Sequence, residues 1–259
     1  WDTHGLPVEL EVEKKLGLDG KEQIEEYGLD PFITQCKESV WKYKGMWEDF
    51  SGTVGFWADM ENPYVTYDDN FIESEWWALK EIWKKGLLYK GFKIVPYCPR
   101  CGTPLSAQEV AQGYKDIKER SAIVRFKAKG EDAYFLAWTT TPWTLPSNVA
   151  LCVNPDETYV KVKAADGYTY YMAAALVDTV LGEGAEVLEH YQGKDLEFKE
   201  YEPLFPYAEK RIGNKKAYYV VCDTYVTLTD GTGVVHIAPA FGEDDSKVGH
   251  RYDLPFVQL

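Results

Sequence analysis

The chain has 259 residues, of which 45% are apolar and 15% aromatic, enough to bury one or two ordinary cores and too apolar for a disordered chain. It carries 28 basic and 42 acidic side chains, and the resulting formal charge of −14 argues against a general nucleic-acid-binding surface. An RNA partner would therefore have to be gripped locally, and no apolar run approaches the roughly 18 residues that a membrane span requires.

The cysteines and the first residue indicate the setting of the chain. Five cysteines form an odd set with a single close pair, which does not suggest a secreted disulfide framework. The chain opens at Trp1, without an initiator methionine and without a basic, apolar leader. We therefore expect a soluble protein of the reducing cytoplasm, with no membrane partner, and a sequence that is part of a longer polypeptide.

The first hundred or so residues are predicted to be mainly helical. One helix spans Leu6–Leu16, and a second covers residues 31–50, with a proline just inside its start. A third covers residues 70–85, where apolar residues recur at spacings of four, three and four and so define one face. The residues of that face are Ile72, Trp76, Leu79 and Trp83.

From about Ser121 the apolar period changes to two, which predicts short strands separated by Gly, Pro, Asn and Asp. We place a boundary near residue 118, with a mostly helical part, residues 1–118, before a compact β-rich domain, residues 119–259. A helix is expected at residues 173–181. The predicted strands cover residues 122–127, 133–138, 149–153, 159–163 and 218–221.

Three successive threonines, Thr139, Thr140 and Thr141, stand at the end of an apolar strand and are followed by Pro142. Their hydroxyls place donors and acceptors on a rigid rim that can bind sugar hydroxyls or base edges. The alternative is a threonine-rich strand end whose side chains bond to the local backbone, and composition alone favours that alternative.

A second unusual stretch covers residues 231–245. Its glycines predict a tight turn, a short apolar strand carries His236, and a break leads to an acidic helix start that includes Asp244 and Asp245. Taken singly, His236 is typical of a core histidine and either aspartate of a helix cap. The spacing favours a shared pocket, because a histidine at a strand end and an aspartate at a helix start can converge.

The pair Cys98 and Cys101 has the spacing of half a zinc knuckle. A tetrahedral ion needs two further ligands, and neither Cys152 nor Cys222 has a partner two residues away. The chain contains no phosphate-binding loop, no dinucleotide fingerprint and no nucleophile elbow. A hydrolytic reaction here would therefore use water positioned by the pocket and the substrate.

These stretches, taken together, resemble the class I aminoacyl-tRNA synthetases for branched aliphatic amino acids. Residues 1–9, WDTHGLPVE, are similar to the segment that follows the family's ATP-binding signature, and residues 62–67 and 97–101 continue the likeness. Residues 139–148 and 231–245 are similar to the two signatures of the inserted editing domain. The step Thr141-Pro142-Trp143 stands where valyl and leucyl enzymes usually carry Arg-Pro-acid, which indicates the isoleucyl branch.

The resemblance implies an α/β multi-domain fragment: part of a Rossmann-type catalytic domain, mostly helical here, followed by a β-rich editing domain that is barrel-like and α+β. The whole enzyme would attach isoleucine to tRNA(Ile) with ATP and Mg²⁺, as a monomer. The signatures that bind ATP would lie outside this sequence, as would the second cysteine pair of a zinc knuckle, so we do not expect this chain alone to activate isoleucine.

The resemblance also assigns roles to single residues. Thr139, Thr140 and Thr141 would take the terminal ribose, the adenine and the ester of valine-mischarged tRNA. Asp245 would pair with the amino acid's ammonium group, and His236 would wall a side-chain pocket that excludes isoleucine. Further substrate contacts are expected at Trp138, Trp143, Asn148 and, as a remnant of the aminoacylation site, Asp2. Alternatives are a module that binds aminoacyl-adenosine without hydrolysing it, an inert structural fragment, and the valyl or leucyl counterpart.

Overall fold

A computed structural model describes residues 1–259, which divide into two compact units, Trp1–Ser106 and Ala107–Leu259. Neither unit contains a helix with the length and apolar character needed to cross a membrane. The regular secondary structure of the first unit consists of helices and one short antiparallel hairpin. Its elements are α1 Leu6–Leu16, α2 Lys21–Tyr27, α3 Leu29–Trp41, α4 Lys44–Thr53, α5 Asp69–Lys84, β1 Tyr97–Cys98 and β2 Thr103–Pro104.

The first helix has the predicted bounds, and the helix predicted at residues 31–50 is divided into α3 and α4. The division falls where the Trp41 indole donates a hydrogen bond to the Tyr67 hydroxyl, with 2.8 Å between the two atoms. Residues 1–4 are held against residues 64–67, because Thr3 donates its backbone N–H to Thr66 Oγ1 at 3.0 Å. This unit has no parallel sheet, so the partial Rossmann-type domain is not confirmed.

Helix α5 has the predicted apolar face, but that face is not buried. None of its residues falls in the buried class, and the side chains of Trp76 and Trp83 are 68% and 69% exposed. A group of large apolar side chains exposed to water is typical of an interaction surface. The periodicity therefore predicted the helix correctly, and it could not show whether the face is covered within this chain.

The second unit contains two sheets. The larger has the strand order β3-β4-β7-β6-β8, in which only the β4–β7 pair is parallel. The smaller has the order β10-β5-β9, with β10–β5 antiparallel and β5–β9 parallel. The elements are α6 Ala107–Ala111, β3 Ala122–Lys127, β4 Tyr134–Thr139, β5 Ala150–Val153, β6 Thr158–Lys163, β7 Thr169–Ala173, α7 Val177–Leu181, β8 Glu186–Gln192, β9 Tyr219–Cys222, β10 Val234–Ile237 and α8 Glu243–Arg251.

Neither sheet closes into a barrel, which corrects the barrel-like expectation. The outer strands of the larger sheet, β3 and β8, are not hydrogen-bonded to each other, so the ladder has two ends. The helix expected at residues 173–181 is also shorter than predicted, because Ala173 ends β7 and a 3-10 turn, Ala174–Leu176, precedes α7. The unit is thus a mixed α/β structure built on two separate sheets.

Strand β5 lies at the centre of the second unit. Leu151 and Val153 are buried in the core of the larger sheet, whereas Ala150 and Cys152 are buried in a second core that includes Val248. A strand that is buried on both faces requires a continuous apolar sequence, which this segment has. Because β10 pairs with β5, the histidine of β10 is carried into the interior of the unit.

An ion cluster fastens the turn between β3 and β4 to the larger sheet. The Glu131 carboxylate lies 2.7 Å from Lys161 Nζ and 2.7 Å from Lys199 Nζ, and it accepts a hydrogen bond from the Tyr171 hydroxyl at 2.9 Å. Burial alone would raise the pKa of Glu131, but these hydrogen bonds outweigh it and lower the pKa to about 2. The ionised carboxylate therefore stabilises the folded unit at neutral pH.

We predict that Glu131→Gln destabilises β6 and β7 at pH 7 by about 1–2 kcal/mol, since the amide keeps the shape and loses the charge. Amide hydrogen exchange in peptides from these strands, read by mass spectrometry, should be about 5–30 times faster than in the unaltered chain. Because the folded pKa lies below the unfolded value, the difference should shrink as the pH falls from about 4 towards about 2. Equal exchange at pH 7 would show that the cluster contributes nothing.

Candidate functional site

The threonine-rich turn begins where β4 ends. Thr139 is the last residue of the strand and is buried, and its Oγ1 accepts the backbone N–H of Thr141 at 3.0 Å. The chain then enters a 3-10 helix, Pro142–Ser147, whose first residue has its φ fixed by the proline ring. Thr140, Thr141 and the side chain of Trp143 are exposed. The turn therefore combines the local side-chain bonding of the alternative interpretation with two exposed threonines, and the hydroxyl of the second, Thr141, lies 3.4 Å from the hydroxyls of Thr139 and Thr144.

Thr144 connects this turn to β10. Its Oγ1 donates to the backbone oxygen of Thr141 at 2.8 Å, and the same atom lies 3.0 Å from His236 Nε2. Both side chains are buried, with Thr144 9% and His236 5% exposed. The structure thus brings the threonine turn and His236 together, as the resemblance implies. The sequence analysis missed Thr144. The signal that could have identified it is its position three residues after Thr141, because residues at this spacing are hydrogen-bonded in a 3-10 helix.

His236 occupies β10 directly opposite Leu151 of β5. Burial lowers the pKa of His236 to about 4, so the imidazole is neutral at physiological pH. Its second nitrogen, Nδ1, is buried and has no hydrogen-bond partner. An unpaired buried polar atom costs free energy, about 1–3 kcal/mol, and is therefore a place where a bound molecule can gain a contact.

Asp245 lies in the first turn of α8, after Gly242 at the helix start. Its Oδ2 accepts the backbone N–H of Ala238 at 3.0 Å, so the carboxylate is tied to the chain just beyond the end of β10. Burial raises the pKa of Asp245 to about 6. Gly242 permits this approach, because a Cβ there would lie 2.9 Å from the Asp245 carboxyl carbon. The Asp245 carboxylate is thereby anchored at Ala238, which lies two residues beyond His236 along the chain.

The two other predicted contacts near this turn have different surroundings. Trp138 lines a cavity of about 250 Å³ together with Tyr225 and Asp230. Gly231 packs against it so closely that a Cβ would lie 2.9 Å from the Trp138 side chain. Asn148 uses both ends of its amide within the protein, since Nδ2 donates to Ala150 O at 2.8 Å and Oδ1 accepts the Tyr201 hydroxyl at 2.6 Å. Asn148 therefore shapes the turn, and Trp138 borders an open space.

The remaining predicted residues lie in the first unit. Asp2 is exposed and belongs to the first unit, whereas the threonine turn belongs to the second. Cys98 ends β1 and Cys101 lies in the turn before β2, where the Cys101 backbone N–H donates to Cys98 Sγ at 3.3 Å and lowers the pKa of the Cys98 thiol. This geometry suits two thiolate ligands of a zinc ion. No group of three or more His, Cys, Asp or Glu side chains is placed to hold a metal ion.

A family model of class I tRNA synthetases, described as those for I, L, M and V, matches residues 1–231. An isoleucine–tRNA ligase of Clostridium acetobutylicum is 60% identical over 260 aligned residues, which cover 100% of this chain and 25% of that protein. An isoleucine–tRNA ligase of Bacillus thuringiensis is 52% identical, with the same coverage of 100% and 25%. The chain therefore spans about a quarter of the length of these relatives.

Solved structures similar to this chain include the editing domain of the cytosolic leucyl-tRNA synthetase of P. knowlesi. It has a TM-score of 0.42 and 14% identity, over 55% of this chain and 66% of that one. The corresponding domain of P. falciparum has a TM-score of 0.36 and 16% identity, over 50% and 51%. Similarity at these TM-scores does not establish a shared fold.

We predict that Asp245→Asn stabilises the second unit at pH 8 by about 1 kcal/mol, because the amide still accepts the Ala238 N–H and carries no buried charge. The folded pKa lies above the ordinary value, so the cost of the carboxylate is absent near pH 4 and grows as the pH rises through about 6. The gain should vanish at pH 4. Urea titrations that follow the amide NMR signals of Val248 and Val257 measure this difference.

The matched control is Asp244→Asn. Asp244 is exposed and pairs with Lys247 at 3.2 Å, so its replacement removes a surface ion pair and relieves no burial. An equal gain at pH 8 from both substitutions would assign the effect to net charge and contradict a specific cost at Asp245.

Proposed function

The chain belongs to the class I tRNA synthetase family of the isoleucine, leucine, methionine and valine enzymes, and from that premise we propose that it carries the proofreading site of an isoleucine–tRNA ligase. The reaction would be hydrolysis of valine from mischarged tRNA(Ile). Alignment over the full length of this chain with isoleucine–tRNA ligases supports the isoleucyl branch, as does the Thr141-Pro142-Trp143 step. The valyl or leucyl counterpart is the alternative within the family.

The whole protein, of which this chain would be a part, is proposed to attach isoleucine to tRNA(Ile) using ATP and Mg²⁺, as a monomeric enzyme of the cytoplasm. Residues 1–118 would belong to its Rossmann-type catalytic domain, and residues 119–259 to the editing domain. Cys98 and Cys101 would supply two of the four ligands of a zinc ion, with the other two from elsewhere in the polypeptide. The chain alone would then not activate isoleucine.

A second site is needed because binding alone cannot separate the two amino acids. One missing methylene in an apolar pocket is worth only about 1–3 kcal/mol, a limit for which isoleucine and valine are themselves the standard illustration. A smaller pocket that admits valine and excludes isoleucine can remove the errors by hydrolysis. Such a pocket needs a rigid wall of fixed size, and it needs an anchor that holds every aminoacyl ester in the same position.

The observation that carries the proposal is the buried connection between the threonine turn and His236, next to the strand end that anchors Asp245. In the proposed complex the threonines would bind the terminal ribose and adenine and place the ester. The Asp245 carboxylate would pair with the ammonium group, a charge-assisted contact. His236 would form the wall against the larger side chain, and the cavity beside Trp138 would receive part of the terminal adenosine.

The chemistry proposed for this site depends on positioning. A water oxygen would bond to the ester carbonyl carbon, the bond from that carbon to the ribose oxygen would break, and the ribose oxygen would take a proton from the water. His236 has a pKa of about 4 and is neutral at pH 7, which suits a wall better than a proton carrier. Holding water and ester in contact reduces the entropic barrier, as in other enzymes without an activated side-chain nucleophile.

We predict that Asp245→Ala abolishes deacylation of Val-tRNA(Ile) and changes stability by about 1 kcal/mol or less, because loss of the hydrogen bond from Ala238 N–H is offset by removal of a poorly solvated charge. The measurement is release of radiolabelled valine from tRNA by the purified chain. Because the ammonium contact needs the ionised carboxylate, calorimetric affinity for a stable valyl-adenosine amide should also fall as the pH drops below about 6. Asp244→Ala, its exposed neighbour, is the matched control and should keep full activity.

Unchanged deacylation by Asp245→Ala would show that the site lies elsewhere. Binding of the amide by the unaltered chain, with no hydrolysis of Val-tRNA(Ile), would identify the module that binds aminoacyl-adenosine without turnover. Neither binding nor hydrolysis would identify a structural fragment.

We predict that His236→Ala extends hydrolysis to Ile-tRNA(Ile), since loss of the imidazole wall enlarges the pocket by more than one methylene. The rate for the isoleucyl ester should rise by about tenfold or more, while that for the valyl ester changes less. His250→Ala is the control, because His250 is an exposed histidine of α8. Continued rejection of the isoleucyl ester by a folded His236→Ala chain would remove His236 from the selectivity role.

A further inference from the structure

The backbone carbonyl of Thr141 determines where the hydrogens of the Thr144 hydroxyl and the His236 imidazole lie. The Thr144 hydroxyl has one hydrogen and two lone pairs, and it contacts three atoms: the backbone oxygen of Thr141 at 2.8 Å, His236 Nε2 at 3.0 Å and the Thr141 hydroxyl oxygen at 3.4 Å. A carbonyl oxygen only accepts, so the hydroxyl hydrogen must point to Thr141. If it pointed to the imidazole instead, two oxygens 2.8 Å apart would face each other with no hydrogen between them.

The imidazole must therefore donate. With the hydroxyl hydrogen on Thr141 O, the contact to His236 is satisfied only when Nε2 carries a hydrogen and Thr144 Oγ1 accepts it. A neutral imidazole has one ring hydrogen, so Nδ1 is then a bare lone pair. That atom is buried and unpaired in the structure. The neutral state itself is favoured by burial, which lowers the pKa of His236 to about 4.

We propose that Thr144 is a positioning residue that holds His236 in its Nε2–H tautomer, so that the Nδ1 lone pair accepts a hydrogen bond from the bound aminoacyl ester. The assignment of the tautomer is independent of the proposed function, whereas the identity of the group that donates to Nδ1 rests on it. The donor is an N–H or O–H of the aminoacyl-adenosine end, because a buried lone pair gains a contact from such a group and repels an ester oxygen.

The tautomer can be read directly from the intact 259-residue chain. In a ¹⁵N-histidine sample at pH 7, long-range ¹⁵N–¹H correlation spectra distinguish a protonated ring nitrogen from a bare one. We expect His236 to show a protonated Nε2 and a bare Nδ1, with His236→Gln identifying its signals. His250 is an internal control of opposite tautomer, because its Nδ1 lies 2.7 Å from the backbone oxygen of Ser246 and must donate to it.

Two variants separate the hydroxyl from the packing. Thr144→Val removes the acceptor and keeps the shape, and we expect the ratio of Nε2–H to Nδ1–H forms of His236 to fall about five- to tenfold. Thr144→Ser keeps the hydroxyl and should keep the tautomer. This variant tests the role of the hydroxyl if Thr144→Val does not fold. A protonated Nδ1 in the unaltered chain would overturn the proposal, as would an unchanged ratio in folded Thr144→Val.

The acceptor role has its own readout. Addition of valine joined by an amide to 3'-amino-3'-deoxyadenosine should move the Nδ1 resonance of His236 more than the Nε2 resonance, and Thr144→Val should bind this compound about tenfold more weakly. Binding that leaves the Nδ1 resonance in place would overturn the acceptor role. If the amide does not bind at all, the proposed function fails, and the tautomer of the free chain still decides whether Thr144 is a positioning residue.

Discussion

The hydrogen bond between Thr144 and His236 is the contact on which the candidate site depends. It joins two side chains 92 residues apart, one in the turn after β4 and one in the strand that pairs with β5. Both partners are buried, and the other ring nitrogen of His236 has no hydrogen-bond partner, so loss of this bond would leave a lone buried polar group at a cost of about 1–3 kcal/mol. Through this bond the larger sheet and the smaller sheet hold the two signature segments in a fixed geometry.

Short-range sequence patterns predicted the helices and strands whose formation depends mainly on neighbouring residues. Helix α1 and strand β3 have the predicted bounds, and the continuous apolar run of β5 corresponds to a strand buried on both faces. Strand β8 was missed because most of its side chains are exposed and no apolar alternation marks them. The region of the site was likewise predictable from its threonines and its histidine. Thr144 was not, because its importance arises from a partner that is distant in the sequence.

Burial disfavours the charged forms of the two central ionisable groups. It lowers the pKa of His236 to about 4 and raises the pKa of Asp245 to about 6. The neutral imidazole gives a wall of constant shape, and the poorly solvated carboxylate gains most when a cation replaces its lost water. In the proposed function that cation is the ammonium group of the misattached amino acid. The same burial that costs stability would therefore strengthen the anchor.

The proposed function requires that the site distinguish two esters that differ by one methylene, and this can be measured on the unaltered chain. Hydrolysis of Val-tRNA(Ile) and Ile-tRNA(Ile) should be compared side by side, with the same tRNA in buffer as the reference. The proposed function predicts that the valyl ester is hydrolysed at least about tenfold faster than the isoleucyl ester. Equal rates for the two esters, or a valyl rate no greater than that in buffer, would contradict it.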